Sequence, residues 1–275
     1  MKKVRALVIT GFGINCEEEM AAAYRLAGAE AQIAHLNGLY EDKTDLRNFD
    51  VLNFAGGFSF GDDLGSGKVL ANKLMYKKKS AKGSFCDELR EFVSGGGYVF
   101  GVCNGFQVLV KMGLLPDIGG SCAQEATLTV NDSASFEDRW CRLRVAKGVR
   151  TPFLKGIDMI NLPVRHGEGK LIFAGAEIRR RVEEDRLACM SYIGEGGEAS
   201  MEFPHNPNGS EMSCAALSDK TGRIFAMMPH PEAYLSMYNN PAWPLIKREN
   251  PRISEDGEGL AIFKNIVRHV EAEKY

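Results

Sequence analysis

Cys103 stands at the centre of Gly101-Val102-Cys103-Asn104-Gly105-Phe106-Gln107, which follows an apolar β-like stretch and opens a helical one. The G-x-nucleophile-x-G spacing is that of a nucleophile elbow, a sharp strand-to-helix turn that presents a reactive side chain above a sheet. Flanking glycines suit such a turn, because a side chain there would collide with neighbouring strands. A helix N-terminus under the sulfur favours negative charge, and thiolate is the form of cysteine that attacks. The other six cysteines (Cys16, Cys86, Cys122, Cys141, Cys189 and Cys214) are widely scattered. They form no C-x-x-C pair and find no histidine at zinc-site spacing, so they read as reduced, small apolar residues with no metal to bind.

A cysteine nucleophile needs a base and a group to orient that base. Pro229-His230-Pro231-Glu232 supplies both. Two prolines hold the piece extended, so His230 and Glu232 project to one side. His230 would take the thiol proton and later return one to a leaving group, while Glu232 fixes the imidazole tautomer. The oxyanion of a tetrahedral intermediate needs donors. Gly56-Gly57, at a strand end, can bring bare backbone N–H groups close to a bound carbonyl, and the N–H of Asn104 offers a second donor. Gln107 lies one helical turn past Cys103, within reach of a small substrate.

The elements that must position these residues alternate in the first ~115 residues, a pattern that implies a mainly parallel sheet covered on both faces. Strands are expected over Val4–Thr10, Ala31–Leu36, Asp50–Ala55 and Tyr98–Val102. Asn15 and Glu18 form a capping-box pattern for a helix ending near Gly28. Ser84 caps a helix to Val93, and Asn104–Met112 is the next. Ligands of such sheets bind beyond the carboxyl ends of the strands, where Gly56-Gly57 and Cys103 fall. Beyond Pro116, short β-like runs at Ala126–Val130, Trp140–Val145, Met159–Val164 and Lys170–Phe173 suggest an antiparallel extension. His166-Gly167-Glu168-Gly169 reads as a hairpin turn between two of them. Glu177–Arg186 reads as a charged helix, Ala215–Leu217 and Ile224–Met228 as a hairpin, and Gly259–Val270 as a docked amphipathic helix. No linker or repeat divides the chain, so residues 1–275 are expected to form one domain.

Bulk properties exclude several classes. With 25% charged residues, 44% apolar residues and a net charge of -2, the chain has no electrostatic case for nucleic acid or an anionic membrane. Lys77-Lys78-Lys79, the one tight basic run, reads as a solvated segment. No stretch approaches the ~20 apolar residues of a membrane span, and the N-terminal run is too brief for a signal peptide. A cytoplasmic protein is expected. Gly11-Phe12-Gly13 lacks the third glycine and the acidic partner of a dinucleotide site. Gly65-Ser66-Gly67-Lys68 lacks the first glycine and the Ser or Thr of a phosphate-binding loop.

Gly-Gly, Cys and His-x-Glu occur in the order found in class I (triad) glutamine amidotransferases, which the chain resembles. More narrowly, it is similar to the glutaminase subunits of phosphoribosylformylglycinamidine synthase. The matching pieces are Gly56-Gly57-Phe58-Ser59-Phe60-Gly61-Asp62, Cys103-Asn104-Gly105-Phe106-Gln107, Gly113-Leu114-Leu115-Pro116, His166-Gly167-Glu168-Gly169, Asn206-Pro207-Asn208-Gly209-Ser210 and Met227-Met228-Pro229-His230-Pro231-Glu232. The resemblance implies a flavodoxin-like α/β sandwich and a triad of Cys103, His230 and Glu232. It implies an oxyanion hole at Gly57 and Asn104, and substrate contacts from Gln107, Asn206, Asn208, Gly209 and Ser210. Glutamine would be hydrolysed through a Cys thioester, and ammonia passed to a synthase subunit acting on formylglycinamide ribonucleotide. That implied partner carries ATP and magnesium; no cofactor is implied in this chain. Ala55 replaces a proline usual in the short bacterial subunits, and Asp63-Leu64-Gly65 looks more like the glutaminase region of the large single-chain synthases. The need for a small accessory subunit is therefore open. Two alternatives also stay open: another Cys-elbow hydrolase, which would usually carry His where Asn104 stands, and an inactive scaffold, which would usually have lost a triad member.

Overall fold

A computed structural model describes residues 3–78 and 83–274. Lys79 of the basic run lies outside them, while Lys77 and Lys78 are exposed. The strands are β1 (Arg5–Thr10), β2 (Glu30–His35), β3 (Val51–Phe54), β4 (Tyr98–Val102), β5 (Ala126–Thr129), β6 (Glu137–Val145), β7 (Met159–His166), β8 (Lys170–Phe173), β9 (Ala188–Tyr192), β10 (Cys214–Ser218) and β11 (Ile224–Met227). The helices are α1 (Glu17–Leu26), α2 (Leu36–Tyr40), α3 (Lys68–Tyr76), α4 (Phe85–Ser94), α5 (Asn104–Lys111), α6 (Ala176–Glu184), α7 (Trp243–Glu249) and α8 (Leu260–Glu273).

One nine-stranded sheet runs β2-β1-β3-β4-β11-β10-β9-β6-β7. Its first five strands are parallel, in the 2-1-3-4-5 order of flavodoxin-like sheets, and the last four are joined by antiparallel pairing. The expected parallel core with an antiparallel extension is thus present. Residues of β3, β4 and β11 are buried throughout, as strands covered on both faces require. Phe100 and Phe225, paired in register on β4 and β11, stack at 5.4 Å, and Phe263 of α8 meets Phe100 edge-on at 5.8 Å. Each such buried side chain contributes about 1.5–3 kcal/mol. The chain leaves β1 for β2 at one side and returns to β3 at the other. The strand order thus reverses at β1 and β3, and such a switch point opens a crevice at the strand ends.

Two local expectations need correction, and one helix went unread. Asn15 does not cap α1: Cys16 is the N-cap residue and makes no capping bond, its Sγ donating to Asn15 Oδ1 at 3.3 Å, and the Asn15 N–H is drawn to Gly56 O at 3.2 Å. Residues 166–169 do not close a hairpin. The chain there crosses from β7 in the large sheet to β8, which pairs with β5 in a separate two-stranded sheet. The Gly65–Lys68 run leads into α3, which the sequence reading passed over. Gly67, at φ +73°, is its N-cap, and a Cβ there would meet Val108 Cγ2 at 3.0 Å. The Ser84 capping box with Asp87 is formed as expected.

Candidate active site

Cys103 follows β4 directly, and its N–H donates to Met227 O at 2.9 Å on the neighbouring strand β11. Its backbone takes φ 51° and ψ −104°, a region sparsely populated by residues with a side chain. The glycines around it are sterically required. A Cβ on Gly105 would sit 2.0 Å from Phe54 O, and one on Gly101 would sit 2.6 Å from Leu109 Cδ1. The elbow is therefore real, and Cys103 caps the N-terminus of α5.

Register explains why the imidazole arrives beside it. Met227 pairs with Val102, so the residues just past the ends of β11 and β4 share one end of the sheet. Beyond β11 the His230 N–H is fixed to Pro163 O at 2.8 Å. His230 Nδ1 and Glu232 Oε1 lie 2.5 Å apart, and both side chains are buried. His230 Nε2 has no hydrogen-bond partner among the described residues. Burial alone would push this imidazole down, but the Glu232 carboxylate and the Cys103 thiol outweigh it and hold the histidine well above its ordinary range. It is thus kept in its charged, proton-bearing form. Gly56 lies between the two side chains: a Cβ there would stand 3.0 Å from His230 Cε1 and 3.6 Å from Cys103 Cβ.

Gly57 holds φ +143°, and any Cβ would strike Gly13 O at 2.6 Å, so this backbone unit, unlike Gly56, is barred from a side chain by backbone. The flanking Phe58 N–H and Gly56 O are bonded to the turn at 13–16. Asn104 begins α5, where the first N–H groups of a helix have no partner within it. Both backbone donors are at the same strand ends as Cys103.

The remaining sequence-predicted residues are brought near but are occupied. Gln107 accepts from Asn104 Nδ2 at 2.9 Å and donates to Glu168 O at 2.6 Å, so it is buried with one bond at each end of its amide. Asn206, Asn208 and Ser210 are also buried. Asn206 Nδ2 donates to Ser210 O at 3.0 Å, and Ser210 Oγ donates to Asn208 Oδ1 at 2.7 Å. Gly209, at φ +81°, could carry no Cβ without meeting Asp132 Oδ2 at 1.9 Å. This turn reaches the 166–170 segment through Asn208 Nδ2, 3.4 Å from His166 Nε2.

Three further residues belong to this assembly: sequence reasoning placed His166 in a matching turn and missed the other two. His166 is buried, with Nδ1 3.1 Å from Asn131 Oδ1; burial and the charge of His230 push it down to about 3, so it is neutral. In that form Nδ1–H donates to Asn131 and Nε2 accepts from Asn208. Asn131 Oδ1 also accepts from Gly169 N–H at 2.9 Å, pinning the segment. The third is Cys16, half-buried, whose Sγ would lie 3.2 Å from a Cβ on Gly56. Burial pushes its thiol up, against a lowering pull from His230. Its signal lay in topology: β1 and β3 are neighbours, so residues just past their ends must meet.

Residues 3–270 match the CobB/CobQ-like glutamine amidotransferase domain family. The chain belongs to that family. Among the proteins it is similar to are subunits of one synthase. Phosphoribosylformylglycinamidine synthase subunit PurQ of Dehalococcoides mccartyi is 39% identical over 268 residues, covering 98% of both chains. The subunit of that name from Methanococcus maripaludis strain S2 is 39% identical over 275 residues, covering 96% of this chain and 97% of its own. A chain of the PurLQS structure from Thermotoga maritima superposes with a TM-score of 0.70 at 23% identity, over 98% of this chain and 100% of that one. That likeness fixes the fold. A family of glutamine amidotransferases accounts for a site built around a cysteine elbow.

Proposed function

We propose that this chain is the glutaminase subunit of a phosphoribosylformylglycinamidine synthase, with Cys103 as nucleophile, His230 as proton carrier and Glu232 as the group that orients it. The observation that carries the reading is the buried His230–Glu232 pair at 2.5 Å, its other nitrogen unpartnered, beside a cysteine in a strained elbow. The Cys103 sulfur attacks the side-chain amide carbon of glutamine, and the N–H groups of Gly57 and Asn104 stabilise the oxyanion. His230 protonates the departing nitrogen, which leaves as ammonia. Water, deprotonated by His230, then hydrolyses the glutamyl thioester to glutamate. Gln107, Asn206, Asn208, Gly209 and Ser210 act by holding the 166–170 segment against the elbow.

Ammonia passes to the synthase subunit, where ATP and magnesium belong in this division of labour. Whether a small accessory subunit joins them is decided by reconstitution with and without it. Among the described residues no helix is long and apolar enough to cross a membrane. Seven free cysteines suit the reducing cytoplasm, where we place the reaction. The whole chain serves as one domain, since the large sheet takes strands from both of its halves.

A glutamine-analogue electrophile tests the assignment. It should label Cys103, and Cys103→Ser should lose the label together with at least about a thousandfold in glutamine hydrolysis. Labelling at a different cysteine would remove Cys103 from the role.

A further inference from the structure

A groove outside the crevice has no part in the proposed reaction. Three hollows of about 650, 420 and 590 Å³ follow one another along it. The first lies beside α6 and shares Ala146, Ser191 and Ala199 with the second, and the second shares Val145, Ala146, Lys147 and Asp158 with the third. His269, in the third hollow, lies 2.8 Å from the Tyr98 hydroxyl at the start of β4, whereas Cys103 follows the end of that strand. The groove therefore starts at the end of the sheet opposite the crevice and runs from there along α6.

Charge is segregated in this groove. Arg144, Lys147, Arg150, Lys155 and Arg186 line it, and none of them makes an ion pair among the described residues. Arg150 donates to Lys220 O at 2.9 Å, a carbonyl, which leaves its charge uncompensated. Arg179 and Arg180 also line the groove but are paired, with Glu211 and with Glu177 and Glu184. The carboxylates of the lining are Asp158 and Glu183. The Arg186 guanidinium lies over bare Gly148, where a Cβ would meet Nη1 at 2.2 Å, so it is brought to the backbone next to Lys147. Like charges gathered without counter-charge repel one another, and an anionic ligand relieves them.

The form of the groove selects the anion. Its unpaired cations are spread over three hollows, so a single phosphate or carboxylate would meet only one or two of them. No Phe, Tyr or Trp lines it, so it lacks the stacking platforms that hold single-stranded nucleic acid. The net charge of -2 gives no long-range pull on a polyanion. Beside the cations, Met201 and Met212 offer apolar, adaptable surface. We propose that this groove docks an extended acidic segment of a partner polypeptide, its carboxylates on the five unpaired cations and its apolar side chains on Met201 and Met212. The segment holds the partner by a surface separate from the Cys103 crevice, and its binding does not depend on the role of Cys103.

A fluorescein-labelled, glutamate-rich peptide with interspersed leucines tests this, titrated with the full chain and followed by anisotropy. Binding is expected, and it should weaken at least about tenfold between about 50 and about 300 mM NaCl. Lys147→Glu with Arg186→Glu should weaken it at least about tenfold. Arg248→Glu with Arg252→Glu, the same change of charge outside the groove, should leave it within about twofold. Thermal unfolding checks that both proteins are folded. Lys147→Gln with Arg186→Gln, which adds no negative charge, should weaken binding in the same direction. No binding by the native chain, or equal binding by the two charge-reversed proteins, overturns the site. Tighter binding of a single-stranded oligonucleotide of equal charge, or full displacement of the peptide by inorganic phosphate, would overturn the choice of an acidic polypeptide.

Discussion

His230 is pulled in opposite directions: burial disfavours its charge, and Glu232 and the Cys103 thiol favour it more strongly. A histidine whose proton is held above its free value of about 6.5 contributes stability that is complete below that pH. The contribution declines as pH rises through the raised value. In the proposed reaction the same proton is given to departing nitrogen, so glutamine hydrolysis should fall on the alkaline side as His230 loses it. Glu232→Gln removes the carboxylate that sustains the charge. This change should cost about 10^2 to 10^4 in kcat, by analogy with a triad whose carboxylate becomes an amide, and should move the alkaline limb to lower pH. A pH–rate profile of the two proteins checks it, and an unmoved limb would show that another group sets the limb. Gly56→Ala tests the same space by filling it. The added Cβ would crowd His230 and Cys16 by side-chain contacts only. The variant should therefore fold, as circular dichroism would show, yet lose most of its labelling at Cys103.

At the scale of elements, the turns that hold these side chains are set by backbone collisions that no local substitution can relieve. Gly105→Ala drives a Cβ to 2.0 Å from Phe54 O, backbone against backbone, between α5 and the end of β3. A loss of about 3 kcal/mol or more is expected, measured by denaturant unfolding, because neither element can move without opening the sheet. The 166–170 segment is held differently, by a neutral His166. Its folded value near 3 lies below the unfolded value of about 6.5, so the unfolded chain binds more protons between them. Stability should accordingly drop as pH falls from 6.5, by about 2 kcal/mol at pH 5 from this residue alone, and His166→Gln should flatten that slope. Much of this architecture was legible in the sequence, and the failures have local causes. The buried runs of β1, β3 and β4, the Ser84 cap and the cysteine elbow each carry their signal within a few residues. Asn15 looked like a cap because its distant competitor, Gly56 O, is 41 positions away in the chain. The turn at 166–169 looked like a hairpin because alternation shows that two strands exist and not which partners they choose. Cys16 was unreadable, and His166 was read only as part of a turn, for the same reason: their partners come from other strand ends.

At the scale of the whole molecule, the sheet gathers four strand ends, those of β1, β3, β4 and β11, into one crevice, and each contributes a part of the site. Reactive ammonia made there is useful only if a second active site receives it before it escapes to solvent. The chain's resemblances lie with subunits of a synthase, so the crevice is expected to work in concert with a partner rather than as a free-standing hydrolase. Three rates distinguish these cases: glutamine hydrolysis by the chain alone, hydrolysis with the cognate synthase and its ATP and formylglycinamide ribonucleotide, and amidine formation in that mixture. Coupling predicts that the first is slow, that the second exceeds it at least about tenfold, and that the second and third agree turnover for turnover. Cys103→Ser should stop glutamine-driven amidine formation while leaving the reaction driven by added ammonium salts, since the synthase site is untouched. A first rate already equal to the second, or a Cys103→Ser complex that still uses glutamine, would break the link between this crevice and the partner's chemistry.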